Sequence, residues 1–297
     1  MQPKNCVSVR FVGLCRFPFL VYTETSLMST EINSFVRTLA HSAVFSEAAT
    51  ALWGRESISL EGIAGGSCAL AIASFFQRGT ESLIVITPDT DAADNIASDI
   101  ALFLEPEYRL NNVLLFPPMT QRDYESDAAL VIADESFGER VNVLKQLMSP
   151  GERRYIVVVS MPALLAPVPP PTLLKERTQT LAVNNRVDLE SLRRFLIEGG
   201  YHSTSAVDLP GEFAVRGYIL DLFAPDWEQP VRIEFFNDEI ESIRRFDLTT
   251  QRSLEKMAEI DLTRLHPHEC AGASLLDYFS LSTPIVLIEP AAMQTPR

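Results

Sequence analysis

Strict alternation of residue types in the second half of the chain is the feature that most constrains its fold. Two interleaved sets occupy one run, Val231, Ile233 and Phe235 in the first and Arg232, Glu234 and Phe236 in the second. A period of two sends the two sets to opposite faces of a β-strand. If the apolar set faces a core, the other face carries an arginine, a glutamate and a large aromatic ring.

Neighbouring residues predict that this strand belongs to an antiparallel meander. Asn237-Asp238 is a predicted two-residue turn, after which residues 239–246 return as the partner strand. An upstream strand ends at Arg216, whose side chain is expected on the same face as Arg232. Gly217 follows directly, and a glycine there is typical of a β-bulge or a close backbone approach.

Arg216, Arg232 and Phe236 are therefore predicted to share the outer face of a small sheet. Arginine and large aromatic residues are enriched at binding hot spots, where truncating one costs roughly 2 kcal/mol or more. This pattern favours a surface that holds another protein. An alternative stays open, in which Phe236 belongs to a second small core and the arginines pair with nearby acids: Glu234, Asp238 or Glu239.

Composition sets limits on the partner. The 297 residues can hold two compact domains, and the formal net charge of −14 argues against this chain gripping a nucleic-acid backbone by itself. A local basic patch stays possible, formed by Arg216, Arg232, Arg244 and Arg245. No apolar run is long enough for a membrane span, so we expect a cytoplasmic protein with no membrane contact.

The cysteines predict neither a metal site nor a disulfide framework. Four of them are scattered along the chain, without paired spacing: Cys6, Cys15, Cys68 and Cys270. Such usage is typical of a reducing compartment. We expect no metal and no catalytic residue.

Before about residue 176 the chain alternates predicted helices and strands, which indicates an α/β domain built on a parallel sheet. The run Leu83–Thr87 is apolar throughout, as in strands buried inside such sheets. The helix after it is expected to be capped by Thr90 or Asp91. We assign residues 29–175 to this domain. Residues 1–28 are expected to be an extension that is unstructured or not translated, with Met28 as a credible start.

Beyond a proline-rich connector at 162–171, the pattern changes to an α+β domain over residues 176–263. Asp188 is predicted to cap a short amphipathic helix that ends at Gly199-Gly200. The antiparallel meander follows it. Residues 264–297 then predict a helix and a strand that return to the first sheet before the chain stops, so we expect the front part of a longer protein or a truncated product.

Residues 62–69 lie where a phosphate-binding loop of the form G-x-x-x-x-G-K-[ST] is expected. Gly62 is kept, but Ser67 replaces the last glycine, Cys68 the lysine and Ala69 the hydroxyl residue. The lysine opposes phosphate charge and the hydroxyl binds Mg²⁺, so phosphoryl transfer needs both. The loop is predicted to be degenerate, and we expect neither ATP binding nor enzyme activity.

A second motor motif has two interpretations. Residues 130–135, Leu-Val-Ile-Ala-Asp-Glu, have the form of a Walker B strand, whose acids hold a metal ion. A helix that begins near Asp134 and Glu135 explains the same acids, because acidic residues are favoured at helix N-termini. We favour the helix.

A family resemblance rests on the meander. The segments that carry it are Gly211 to Gly217, Ile219 to Phe223, Val231 to Phe236, Asp238 to Ile240 and Phe246 to Leu254. They resemble the second domain of the bacterial transcription-repair coupling factors (Mfd), and the same region is similar in the excision-repair protein UvrB. A weaker resemblance extends from about Ser29 to the C-terminus. It implies a degenerate P-loop (RecA/helicase-like) domain with an inserted UvrB domain-2-like domain.

The resemblance implies a partner and a function. In that family the second domain binds UvrA, the damage-sensing ATPase of nucleotide excision repair, and the contact positions fall on Arg216, Arg232 and Phe236 here. The implied role is a non-catalytic adaptor that recruits UvrA for transcription-coupled repair. A full-length member also engages RNA polymerase and DNA through other domains.

Two further possibilities stay open. One is a UvrB-like ATP-dependent repair helicase subunit, which would need a lysine at the position of Cys68. UvrB also has an aromatic hairpin, and the comparable region of this chain, residues 116–137, contains a single tyrosine, Tyr124. The other possibility is a fragment that folds poorly because its first domain is incomplete.

Overall fold

The computed structural model describes residues 6–10, 38, 43–104, 112–119, 135–149, 153–266, 269 and 272–294. Its α-helices are α1 (Ala43–Trp53), α2 (Gly66–Arg78), α3 (Thr90–Phe103), α4 (Glu135–Met148), α5 (Met161–Leu165), α6 (Pro171–Glu176) and α7 (Leu189–Glu198). Short 3-10 helices lie at Leu275–Tyr278 and Ala292–Gln294.

The strands, in chain order, are β1 (Cys6–Arg10), β2 (Ser57–Glu61), β3 (Leu83–Thr87), β4 (Val113–Phe116), β5 (Ile156–Ser160), β6 (Thr178–Ala182), β7 (His202–Ser203), β8 (Glu212–Arg216), β9 (Ile219–Phe223), β10 (Val231–Phe236), β11 (Glu239–Phe246), β12 (Ser253–Met257), β13 (Glu259–Thr263) and β14 (Ile285–Leu287).

The chain divides into two compact units. The first combines residues 1–116, 151–164 and 279–297, and the second combines 117–150 and 165–278. Along the sequence, the two segments of the second unit thus alternate with the three segments of the first. This division differs from the sequence-based boundaries, because residues 117–150 group with the second unit and the return to the first unit begins at 279.

A parallel sheet organises the first unit, in the order β14-β3-β5-β4. Every residue of β3 and β5 is buried, as their continuous apolar sequences predict. The prediction of an α/β fold with a parallel sheet is confirmed, and so is the return of residues 285–287 to that sheet. The P-loop class of this unit stays a prediction.

The helices of the first unit start and stop for local chemical reasons. Helix α2 is buried from Ala69 through Phe76 and stops at Gly79, where an added Cβ would lie 1.8 Å from the Trp53 ring. Helix α3 is capped by Asp89, whose carboxylate accepts a hydrogen bond from the Ala92 amide at 2.9 Å. The prediction of Thr90 or Asp91 as the cap was wrong, because the chain is already helical at both residues.

A strand also forms near the start of the chain. Residues Cys6–Arg10 make β1, which pairs in parallel with β2 over five residues. This strand departs from the expectation that residues 1–28 are unstructured, and whether they are translated stays a prediction. The other residues of that stretch lie outside the described ranges.

A six-stranded sheet organises the second unit, in the order β12-β11-β10-β9-β8-β7. All of its pairs are antiparallel except β7 with β8. Helix α7 packs on one side of it, which we call the inner face, through Leu192 and Leu196. As predicted, Asp188 caps α7 by accepting from the Ser191 amide at 2.9 Å, and the helix ends at Gly199.

The turns set the register of this sheet. Asn237 has φ 54°, as a tight turn between β10 and β11 requires, so the predicted turn is confirmed. Gly217 has φ 62° in the turn between β8 and β9, with nothing within 4 Å of an added Cβ. The prediction of a bulge or a close backbone approach there was wrong. The irregularity instead lies in β11, where Ser242 pairs with Glu234 while Ile240 pairs with Phe235.

Helix α4 begins at Glu135, as the helix interpretation of the acidic motif expects. Residues 130–134, which would form the Walker B strand, lie outside the described residues, and so does Tyr124.

Candidate protein-binding surface

The three predicted contact residues lie on the side of the six-stranded sheet opposite α7, which we call the outer face. Val231, Ile233 and Phe235 are buried in the core of the inner face, so the alternating residues of β10 point outward. Arg232 lies directly across from Asp221 of β9, and Asp221 lies across from Ala214 of β8. Arg216, two residues beyond Ala214, is on the same face.

Sheet geometry fixes the spacing of these residues. Arg216 and Arg232 are two strands apart and offset by two residues along the strands. With strands about 4.8 Å apart and a rise of about 3.3 Å per residue, their Cα atoms are about 12 Å apart. The four-residue step from Arg232 to Phe236 spans about 13 Å. The three side chains therefore mark out a patch of the size that one partner surface can cover.

Phe236 is a largely exposed part of this patch. It ends β10 opposite Glu239, and 69% of its surface is accessible. A second small core does exist, and its members are Val207, Ala214 and Phe223, with Trp227 and Leu248 packed against it. Phe236 is not part of it, so that part of the alternative interpretation was wrong.

Arg232 is held firmly by its neighbours. Its Nε donates to Oδ1 of Asp221 at 2.6 Å and its Nη2 to Oδ2 at 2.8 Å. The guanidinium also lies 4.7 Å from the centroid of the Phe246 ring and donates to Oε1 of Gln251 at 3.3 Å. The hydrogen bond to Asp221 raises the pKa of Arg232 above its ordinary value.

The ion pair with Asp221 gives Arg232 a structural role as well as a place on the surface. The side chain of Asp221 is only 5% exposed, and a carboxylate buried to this extent is costly to leave without an ion-pair partner. Asp221 is not one of the three acids that the sequence suggested as partners, Glu234, Asp238 and Glu239. A single aspartate inside the apolar run Ile219–Phe223 was the available signal, because a period of two places it on the outer face.

The other arginines near the sheet divide into paired and unpaired. Arg244 forms an ion pair with Glu234, and Arg245 with Glu255 at 3.5 Å. Arg216 donates from Nε and Nη2 to the Ser205 carbonyl oxygen at 3.2 and 2.6 Å. Among the described residues, Arg216 is the one of these four arginines without a carboxylate partner. The suggested basic patch is therefore largely neutralised, and Arg216 supplies its uncompensated charge.

The loop between β2 and α2 has its polar groups directed toward itself. The Ser67 hydroxyl accepts from the Ala64 amide at 2.9 Å and donates to the Ala64 carbonyl oxygen at 2.7 Å. The amides of Ser67 and Cys68 donate to the carbonyl oxygens of Ala64 and Gly65 at 3.3 and 2.9 Å. Gly62 and Gly65 have positive φ and allow this tight path. Three amides that could face a phosphate thus already have partners.

The two residues after Ser67 lack the side-chain groups that bind phosphate and a metal ion in a phosphate-binding loop. Ala69, in the position of the metal-binding hydroxyl, is fully buried in the core of the first unit. Cys68 is half-buried, and burial, followed by the charge of Glu289, raises the pKa of its thiol.

The cleft beside this loop has a volume of about 810 Å³ and is lined mainly by apolar side chains. Its charged lining residues are Arg55, Glu56, Asp99 and Glu289. Three acids and one arginine do not attract a polyphosphate.

The described part of the chain offers neither a metal site nor a membrane span. No group of three or more His, Cys, Asp or Glu residues there could hold a metal ion. None of its helices combines the length and the apolar character that crossing a membrane requires.

Comparisons with known proteins point to one family. Residues 180–266 match the family model of the UvrB interaction domain. The chain is similar to the transcription-repair-coupling factor of Myxococcus xanthus, at 33% identity over 73% of this chain and 18% of that protein. The factors of Haemophilus influenzae and Escherichia coli K12 are 30% and 29% identical over 68% and 69% of this chain, and 17% of each relative is covered. The chain thus spans less than a fifth of the length of these relatives.

Proposed function

We propose that this chain, which carries the N-terminal UvrB-like module of the transcription-repair coupling factors, recruits UvrA to DNA repair and catalyses no reaction itself. Arg216, Arg232 and Phe236 are the proposed contact residues. In a full-length protein of this family, RNA polymerase and DNA are bound by other domains. The role proposed for this chain is UvrA docking.

The observation that carries the proposal is the exposure of Phe236 on the outer face. An aromatic ring that is 69% exposed gains most of its possible burial only when a partner covers it. Arg216 adds an uncompensated positive charge on the same face, and Arg232 adds a guanidinium whose position is fixed by Asp221. Arginine and large aromatic residues are the residue types enriched at binding hot spots.

We also propose that the loop between β2 and α2 is a degenerate phosphate-binding loop and that the chain binds no ATP. Three of its amides donate to carbonyl oxygens or the hydroxyl of the same loop, and Cys68 offers no positive charge. A UvrB-type helicase would require both the charge and the open amides. Isothermal titration of the chain with ATP and Mg²⁺ is expected to release no heat of binding, and micromolar affinity would revive the helicase alternative.

The proposal is tested by measuring the affinity of the purified chain for purified UvrA. Phe236→Ala is expected to weaken binding about 30-fold or more, because truncation of a hot-spot aromatic costs roughly 2 kcal/mol or more. Leu254→Ala is the matched control, since Leu254 is 54% exposed on β12, an edge strand of the same sheet two strands from β10.

Both variants should melt at the wild-type temperature, because each removed side chain is mainly in solvent. Absence of wild-type binding, or equal losses in the two variants, would refute UvrA docking through this face.

A further inference from the structure

A second exposed aromatic side chain lies next to Phe236. Tyr218, in the turn between β8 and β9, is 62% exposed. The Phe235 amide donates to the Tyr218 carbonyl oxygen at 2.8 Å, so this turn is hydrogen-bonded to the end of β10. By sheet geometry, the Cα atoms of Tyr218 and Phe236 are about 6 Å apart. Two residues with large exposed rings therefore lie close together at one end of the sheet.

The backbone that carries these rings is tightly constrained. Gly217, beside Tyr218, and Asn237, beside Phe236, both have positive φ, as short hairpin turns require. Each ring has only two side-chain torsions, so holding it against a partner costs little conformational entropy. Among the described residues the Tyr218 hydroxyl has no hydrogen-bond partner, which leaves it available to one.

Building on the proposed function, we infer that Tyr218 and Phe236 act as one aromatic pair that enters an apolar recess on UvrA, and that acidic residues at the rim of the recess meet Arg216. The charge argument is specific to a partner of this kind. The chain has a formal net charge of −14, yet Arg216, at the same end of the sheet, has no carboxylate partner among the described residues. A second copy of the chain would bring another Arg216 toward the first, and like charges oppose that pairing.

The pairing can be separated from the effect of Phe236 alone. Tyr218→Ala in the full chain is expected to weaken binding of purified UvrA about 10-fold. Tyr218→Phe, which keeps the ring, should retain most of the affinity. Ile197→Ala is the matched control, because Ile197 is 50% exposed but lies on α7, across the sheet from the outer face.

A double-mutant cycle tests whether the rings act together. If they enter one recess, the loss for Tyr218→Ala with Phe236→Ala is smaller than the product of the two single losses. Unchanged affinity in Tyr218→Ala, while Phe236→Ala still weakens binding, overturns the aromatic pair and leaves UvrA docking intact. Independent losses that multiply also overturn the pairing. If the wild-type chain does not bind UvrA, both the docking function and the pair are refuted.

Discussion

The outer face of the antiparallel sheet and the loop between β2 and α2 both resemble binding sites, but their side chains are disposed in opposite ways. On the sheet, Phe236 is 69% exposed and Arg216 has no carboxylate partner among the described residues. In the loop, the Ser67 hydroxyl bonds to the backbone of Ala64, and Ala69 is fully buried. Sequence similarity alone does not distinguish a surface whose polar and apolar groups are available to a partner from one whose groups already bond and pack within the chain.

This difference indicates where function can reside. A binding surface leaves apolar area and hydrogen-bonding capacity that only a partner can satisfy. A loop whose amides already have partners must break those hydrogen bonds before the same amides can hold a ligand. While they are intact, the bonds contribute to the stability of the fold and not to ligand binding. We therefore expect changes on the outer face to alter binding, and changes in the loop to alter folding.

The largest expected effect sharpens this division, because it falls on Arg232, a proposed contact residue that also supports the fold. Arg232→Ala leaves the carboxylate of Asp221 buried without its partner and should lower the free energy of unfolding by about 3 kcal/mol. Urea denaturation measures this loss.

Arg245→Ala is the matched control for Arg232→Ala. Its side chain is 41% exposed and its partner Glu255 67% exposed, so its removal should change stability by less than about 0.5 kcal/mol. Equal stability of the Arg232→Ala and wild-type proteins would show that the pair with Asp221 does not support the fold.

Arg216→Ala is expected to act on binding without acting on stability. Its only described hydrogen-bond partner is the Ser205 carbonyl oxygen, so the melting temperature should stay close to that of the wild type. Affinity for UvrA should fall about 10-fold, which corresponds to about 1.4 kcal/mol. The wild-type affinity should also decrease with added salt more steeply than that of the variant, because the lost interaction is between charges. Identical salt dependence would contradict a charged contact at this position.

In the loop, Ser67→Ala should reduce stability by about 1 kcal/mol, since it removes two hydrogen bonds to Ala64. Denaturation followed by a probe in the first unit measures this change. UvrA affinity should be unaffected. A loss of UvrA affinity in this variant would break the comparison between the two regions.

The smallest effect concerns the Cys68 thiol. Burial and Glu289 raise its pKa, so at a given pH less of it is ionised than of an ordinary thiol. In a variant with the other three cysteines replaced by serine, iodoacetamide should alkylate the folded chain at pH 8 several-fold more slowly than the urea-unfolded chain. The rate should continue to rise above the pH at which an ordinary thiol is half ionised. Faster reaction in the folded chain would indicate a nearby positive charge and would reopen the question of phosphate binding.

Local sequence signals predicted the elements but not all of the contacts. The cap at Asp188, the turn at Asn237-Asp238 and the alternation in β10 are decided by residues close in sequence, and each is confirmed. The partner of Arg232 could not be predicted in the same way. Its identity depends on the register between β9 and β10, which are joined by a seven-residue connection, 224–230, with no turn type that fixes the pairing.

Two other errors have similarly physical causes. Gly217 was assigned to a bulge or a close backbone approach, but a glycine beside a strand is equally common in a turn. Only the pairing of Arg216 with Ile219 shows that Gly217 lies in a turn. Asp89 was missed as the cap of α3 because Thr90 and Asp91 are equally good capping residues. The predicted roles of Arg216, Arg232 and Phe236 depend on a second protein, and they stay predictions.

Hydroxyl-radical footprinting of the full chain, with and without purified UvrA, tests UvrA docking through the outer face most directly, because it reports the solvent exposure of individual side chains. We predict that oxidation of Phe236 falls sharply when UvrA is bound, while Leu281 of the first unit, which is fully exposed, is oxidised at an unchanged rate. Oxidation of Phe236 at the same rate in the free chain and in a demonstrated complex with UvrA would contradict docking through this face.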